Sequence, residues 1–257
     1  MKPEYLNIYC CCLEDWSDDI REAGDHKKIW YEKMKDKGLR VKLAVQDAKV
    51  CGMIQYIPAT WAFIEAKDVY FILCIWVHGH KQGIGNQQKK GMGSALLQAA
   101  EQDVRDLNAK GLVAWGLSLP FWMRASWFKK HGYRKADKDG ISLLMWKPFS
   151  DDVQPPKWIR EKKRPGKNSD KVVVTAFKSG WCSAQNMAFE RARRVSDEFK
   201  DRVEFREIDT LDRDTYLEWG IADALFINEK QVRTGPPPSA AKIRKKIARK
   251  VKSLPVS

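Results

Sequence analysis

The 257-residue chain reads as two consecutive α/β domains, the second the smaller. Three observations predict this. An apolar, strand-like run at 69–77 leads into a glycine-bearing loop and then into helical periodicity. A charged stretch at 147–170, holding four prolines, breaks the periodic pattern. Beyond it, strand and helix signals recur in the order βαβαββα.

In the first domain, residues 40–45 and 49–57 read as strands joined by a turn at Asp47. Residues 69–77 are rich in aromatic and β-branched side chains and suit a buried strand. The loop that follows ends in Gln88-Lys89-Lys90-Gly91-Met92-Gly93-Ser94. Leu96, Ala100, Val104 and Leu107 then recur on one helical face. Glycines in such a loop let backbone approach a ligand, and the first amides of a helix point unpaired N–H groups at an anion. Two lysines add positive charge, so the segment has the composition of a pyrophosphate cradle. A strand at 111–117 and a short helix with a Gly132-Tyr133 turn complete the pattern, and Cys10, Cys11 and Cys12 lie in a further strand-like run.

The stretch 149–170 is the expected linker. After it come a strand at 171–177, a helix at 183–199 with Ala184, Ala188, Ala192, Val195 and Phe199 facing inward, and a strand at 202–208. A helix at 211–219, strands at 224–228 and 231–233, and a basic terminal helix follow.

The pattern Gln88-x-x-Gly91-x-Gly93, after a strand and opening a helix, resembles the acetyl-CoA motif of GNAT N-acetyltransferases. The chain contains neither the dinucleotide pattern Gly-x-Gly-x-x-Gly with its acidic ribose partner nor a Gly-Lys-Ser/Thr P-loop. The resemblance covers residues 1–148 and implies a GNAT mixed-sheet domain that uses acetyl-CoA to acetylate an amine by direct attack. It places the cofactor against Trp76, Val77, Gln88, Lys89, Lys90, Gly91, Met92, Gly93, Ser94 and Phe128. It also implies a backbone N–H near Val77 as the oxyanion donor. Two departures stand out: Phe128 occupies the position where the family often has a tyrosine that protonates the leaving thiolate, and Trp122 replaces a common asparagine. Residues 171–257 resemble a thioredoxin-like domain, with Gly180-Trp181-Cys182-Ser183-Ala184-Gln185 where thioredoxins carry Trp-Cys-x-x-Cys. Gln185 replaces the resolving cysteine and no proline lies in 221–224, so a dithiol exchanger is not expected. Cys182 at a helix start reads as a lone reactive thiol. The combination resembles the YoaP-like acetyltransferases.

Acyl transfer to an amine needs a base. The strand 69–77 holds no carboxylate, which leaves His78 and His80, beside the cofactor loop, as the candidates, with a water relay as an equal alternative. Trp61, Trp76, Trp115, Trp122 and Trp127 are expected around the cleft.

A net charge of +14 raises nucleic acid as a partner. The charge concentrates in Lys242–Lys252 as the outer face of an amphipathic helix with Ala240, Ile243, Ile247 and Val251 inward, so a nucleic-acid role is not the expectation. The alternatives to an enzyme are a non-catalytic acyl-CoA sensor and a nucleic-acid module using that helix. No apolar run is long enough to span a membrane, no secretion signal is read at the start, and cysteine spacing fits neither a disulfide framework nor a metal site. The expectations are therefore a cytoplasmic protein, no metal, a small-molecule amine as partner, and homodimerisation left open.

Overall fold

The computed structural model describes residues 2–119, 122–233 and 235–255. They divide into two compact units. The residues up to Trp16 with Lys33–Ile159 form one, and Ser17–Glu32 with the residues from Arg160 onward form the other. The boundary at Ile159/Arg160 falls inside the stretch read as a linker.

The first unit contains α1 (Pro3–Cys10), and its sheet is drawn from strands whose β-branched and aromatic runs carry the pleat. Two short helices, α2 (Asp18–Arg21) and α3 (His26–Met34), precede β1 (Arg40–Gln46), β2 (Lys49–Pro58), β3 (Ile64–Glu65) and β4 (Val69–Val77). Then come α4 (Met92–Asp106), β5 (Gly111–Leu117), α5 (Ala125–Lys130), β6 (Arg134–Asp139), β7 (Ser142–Pro148) and β8 (Lys157–Trp158). The six-stranded sheet runs β1-β2-β4-β5-β7-β6, and β4/β5 is its parallel pair. β8 pairs with β3 and so draws residues 157–158 into this unit.

α4 lies on one face of the sheet. Leu96, Leu97, Ala100 and Val104 pack there against Ile54, Tyr56, Ile72, Leu112 and Ala114. Leu107, expected on the same face, is the C-cap and is 45% exposed, because the helical turn ends before it can rotate inward. Asp103 on this helix accepts hydrogen bonds from Arg40, Lys42 and Tyr56 at 2.6–2.8 Å. Burial works against its charge, but these donors win and hold its carboxyl well below the usual range.

α1 covers the other face, where Tyr9 donates to Gln55 at 2.6 Å. This corrects the strand expected around the three cysteines. Cys10 ends α1, Cys11 caps it and Cys12 turns into left-handed backbone (φ 52°). Pro3 at the first helical position and the burial of Tyr9 override the strand propensity of Tyr-Leu-Asn-Ile-Tyr.

The second unit has β9 (Val172–Lys178), α6 (Ser183–Asp197), β10 (Val203–Asp209), α7 (Arg213–Trp219), β11 (Ala224–Ile227), β12 (Lys230–Val232) and α8 (Ala240–Val251). Sheet order is β10-β9-β11-β12, with β9/β10 parallel and the other pairs antiparallel. α6 and α8 share a core in which Ala192, Val195, Ile243 and Ile247 are buried. α8 keeps its cations outward, and Arg244 pairs with Glu198. The segment 17–32 joins this unit through ion pairs to α6: Arg191 with Asp19 and Glu22, Arg194 with Glu22, and His26 with Glu190 at 2.7 Å. Among the described residues, no helix is long and apolar enough to cross a membrane.

Candidate functional site

The parallel ladder between β4 and β5 runs from Val69/Gly111 to Ile72/Ala114 and stops. Beyond it the strands splay, and the Trp115 indole N–H fills the first freed acceptor, Leu73 O, at 2.8 Å. The His78 N–H bonds Cys51 O on β2 at 2.9 Å. Since successive amides of a strand alternate edges, Ile75 and Val77 point their N–H groups away from β2 and into the splay. These are free donors of the kind that stabilise an oxyanion.

α4 starts at the mouth of this opening. Its N-cap is Gly91, in left-handed backbone (φ 83°) that favours glycine, and no side chain caps the helix. The first intrahelical bond into the turn is Ala95 N–H to Gly91 O, so the amides of Met92, Gly93 and Ser94 remain for an anion. A Cβ on Gly93 would meet Trp127 at 3.6 Å and Val77 at 3.9 Å, which fits, but anything longer would fill the groove. The cleft measures about 630 Å³ and takes in Val77, Gln88, Lys89, Gly91, Gly93 and Phe128.

Around it, Gln88 donates to Val77 O at 3.1 Å, and Lys90 is tied to Gln87 at 2.8 Å, while Lys89 has left-handed backbone (φ 64°) and an exposed side chain. Ser94 Oγ sits 3.0 Å from His131 Nε2, whose Nδ1 donates to Trp127 O at 2.9 Å. Phe128 is fully buried and lines the cleft without a proton to give.

The two histidines expected as bases part company. His78 is 0% exposed; Nδ1 donates to Gly85 O at 2.9 Å and Nε2 accepts from the Trp16 indole at 3.1 Å. Both nitrogens are used, so the geometry gives His78 the task of folding the 79–87 loop rather than a free lone pair. His80 is different: its side chain is 41% exposed and Nε2 lies 3.3 Å from Glu14 Oε1. That is an ion-pair contact at one ring nitrogen, with the ring otherwise partly open to solvent.

Alternation along β4 puts Val77 toward α4 and Trp76 on the opposite face with Cys74, the face of Gln55 and α1. The Trp76 side chain therefore does not share the α4 side with the cradle. It stands beside His80, ring centroids 6.0 Å apart, with Trp16 at 5.3 Å from His80. Trp115 and Trp122 meet edge to face at 5.2 Å, and Trp122 and Trp127 line the cleft. Trp61 is a correction: it sits under the Lys37 ammonium (4.0 Å), just past Pro58, which pairs with Tyr70 at the start of β4, the far end from the cradle. Glu14 and Trp16 were invisible in the sequence, because a short loop after α1 carries no motif and only tertiary contact brings it to His80.

Cys182 is the N-cap of α6, as the sequence led one to expect, and is partly buried. Three residues earlier, Ser179 donates its N–H and Oγ to Asp223 at 3.0 and 2.6 Å, and burial pushes that carboxyl up to about 6 against those bonds. Among the described residues, no cluster of His, Cys, Asp and Glu is fit to hold a metal.

Residues 3–133 match the family model described as Acetyltransferase (GNAT) family, and the chain belongs to that family. A curated relative, the uncharacterized N-acetyltransferase YoaP of Bacillus subtilis (strain 168), is 26% identical over 153 residues, which cover 56% of this chain and 57% of that protein. The chain thus spans little more than half the length of the relative it matches. Among solved structures, the PaiA N-acetyltransferase from Thermoplasma acidophilum in complex with coenzyme A is similar at 17% identity, covering 56% of this chain and 93% of that one, with a TM-score of 0.42. The aminoglycoside 6'-acetyltransferase type Ii is similar at 16% identity, over 58% and 92% of the two chains, with a TM-score of 0.44.

Proposed function

We propose that the first unit binds acetyl-CoA in the β4/β5 cleft and transfers its acetyl group to an amine by direct attack. One observation carries the reading: the uncapped start of α4, opened by Gly91, faces the same cleft as the freed amides of Ile75 and Val77. The pyrophosphate takes the amides of Met92, Gly93 and Ser94, and the thioester carbonyl takes the strand amide. His80, backed by Glu14, accepts the proton as the amine nitrogen bonds to the carbonyl carbon. The C–S bond then breaks and the CoA thiolate is protonated by solvent, since Phe128 has no proton to donate. His78 is withdrawn from the catalytic role and keeps a structural one.

The second unit is read as a thioredoxin-like domain spanning 171–257 after a linker at 149–170, with the acetyltransferase domain at 1–148. Its βαβαββα order, its sheet order and the N-cap position of Cys182 support that reading. Without a second cysteine at Gln185 it does not exchange dithiols.

The test is CoA release from acetyl-CoA across a panel of amines, amino acid amides and aminoglycosides. Turnover with one class, abolished by Gly93→Glu, supports the assignment. Failure of acetyl-CoA to bind contradicts it.

A further inference from the structure

His131 is the C-cap of α5, and its half-buried ring lies 4.2 Å, centroid to centroid, from the Trp127 indole that lines the cleft. Its two nitrogens face different partners. Nδ1 is 2.9 Å from Trp127 O, and a carbonyl can only accept, so Nδ1 carries a proton. Nε2 is 3.0 Å from Ser94 Oγ, in the first turn of α4, and Ser94 itself lines the cleft. While the ring is neutral, Nε2 is an acceptor, and the Ser94 hydroxyl must donate its proton to it. A further proton on the ring reverses that bond. Nε2–H then donates, Ser94 Oγ accepts, and the hydroxyl proton is released to another acceptor.

We propose that His131 is a positioning residue for the pyrophosphate: by taking a proton from solvent onto Nε2 it turns the Ser94 hydroxyl from its own ring to a phosphate oxygen, so acetyl-CoA binding and protonation of His131 favour each other. The inference rests on the acetyltransferase reading of this cleft. A phosphate oxygen beside Ser94 has lone pairs and no hydrogen, so it competes with the neutral ring for the hydroxyl proton but not with the imidazolium. Its negative charge favours the imidazolium as well. The other charges on the surrounding elements are Lys89 in the loop and Arg124 before α5, which line the cleft, and Lys129 and Lys130 on α5. On α4 and β7, Glu101 and Lys147 engage each other at 2.8 Å, while Asp103, Arg105 and Asp106 lie at the far end of α4 and β5 carries no charged residue. Histidine is the side chain that ordinarily exchanges a proton near neutral pH, and in this group it is His131.

Titration of dephospho-CoA into the full chain tests this. That compound lacks the ribose phosphate, and its pyrophosphate diester does not titrate between about pH 5.5 and about pH 8, a range that brackets an ordinary imidazole. Affinity is expected to rise roughly tenfold as pH falls across that range, the size of one hydrogen bond to a charged group. Calorimetry in buffers of different ionisation heat should show a proton taken up on binding, because the linkage is reciprocal. His131→Gln offers an amide that donates to Ser94 at every pH and should bind with a flat pH profile, tight even at the alkaline end. Ser94→Ala should also be flat, at the weak level, with thermal midpoints confirming that both variants are folded. Binding without pH dependence or proton uptake in the wild-type protein, or a slope that survives in either folded variant, overturns the inference and leaves the proposed function standing. Failure of dephospho-CoA to bind at every pH contradicts the proposed function and the role of His131 with it.

Discussion

The two units each contain a strand, a loop and a 15-residue helix that starts without a side-chain capping bond: β4 into α4, and β9 into α6. Their surroundings make them opposites. Before α4 the neighbouring strand splays away, Gly91 opens the turn and a cleft of about 630 Å³ stands over the amides. Before α6 the loop is closed. Asn186 donates to Gly180 O at 2.9 Å, Ser179 is held by Asp223, and a Cβ on Gly180 would come within 3.1 Å of His26 O. A helix start alone is not a site; vacant space facing the amides is what makes one.

The contrast breaks most readily in the chemistry. His80→Gln should lower kcat/KM by a hundredfold or more, as loss of a general base does. His78→Gln should instead reduce stability by about 1–2 kcal/mol through lost bonds to Gly85 and Trp16, seen as a lower midpoint in urea. A normal kcat/KM in a folded His80→Gln variant would leave the reaction to proximity and the strand amides.

These two histidines also mark how far sequence reasoning reached. Strands 69–77 and 111–117 were legible because β-branched and aromatic runs end at turn residues, and β4 and β5 occupy those same spans. The cradle was legible because a glycine pattern between strand and helix has a local cause. His78 and His80 looked alike because what separates them, Trp16 over one and Glu14 beside the other, comes from a distant segment. The assignment of 17–32 to the second unit was equally hidden, since it depends on Glu22 meeting Arg191 and His26 meeting Glu190. Cys10–Cys12 misled through strand propensity that a packed Tyr9 overrode.

In the closed loop of the second unit the expected effects are smaller. Asp223 is raised in the folded state to about 6, so its protonated form favours folding. That stability is complete below the ordinary carboxylate range and is lost as pH rises through about 6. Between about pH 4 and pH 7 the second unit should lose about 1–2 kcal/mol that Asp223→Asn does not lose, measured by chemical denaturation at each pH. Identical pH profiles for the two proteins would remove Asp223 from the account.

The smallest effect belongs to Cys182. Replacing it with serine should leave acetyl-CoA affinity unchanged, and insulin reduction by dithiothreitol should run at its uncatalysed rate with or without the substitution. At neutral pH, iodoacetamide should label Cys182 faster than the buried Cys51. Catalysed insulin reduction would mean that a second thiol serves the loop.

The difference between an open and a closed helix start is tested most directly by titrating acetyl-CoA into the full chain and into Gly93→Glu. The wild-type protein should bind with a stoichiometry of one. In the variant, a carboxylate set among the α4 amides and against Trp127 should weaken binding by at least a hundredfold while the protein stays folded. Equal affinity for the two folded proteins would contradict the assignment of the cleft.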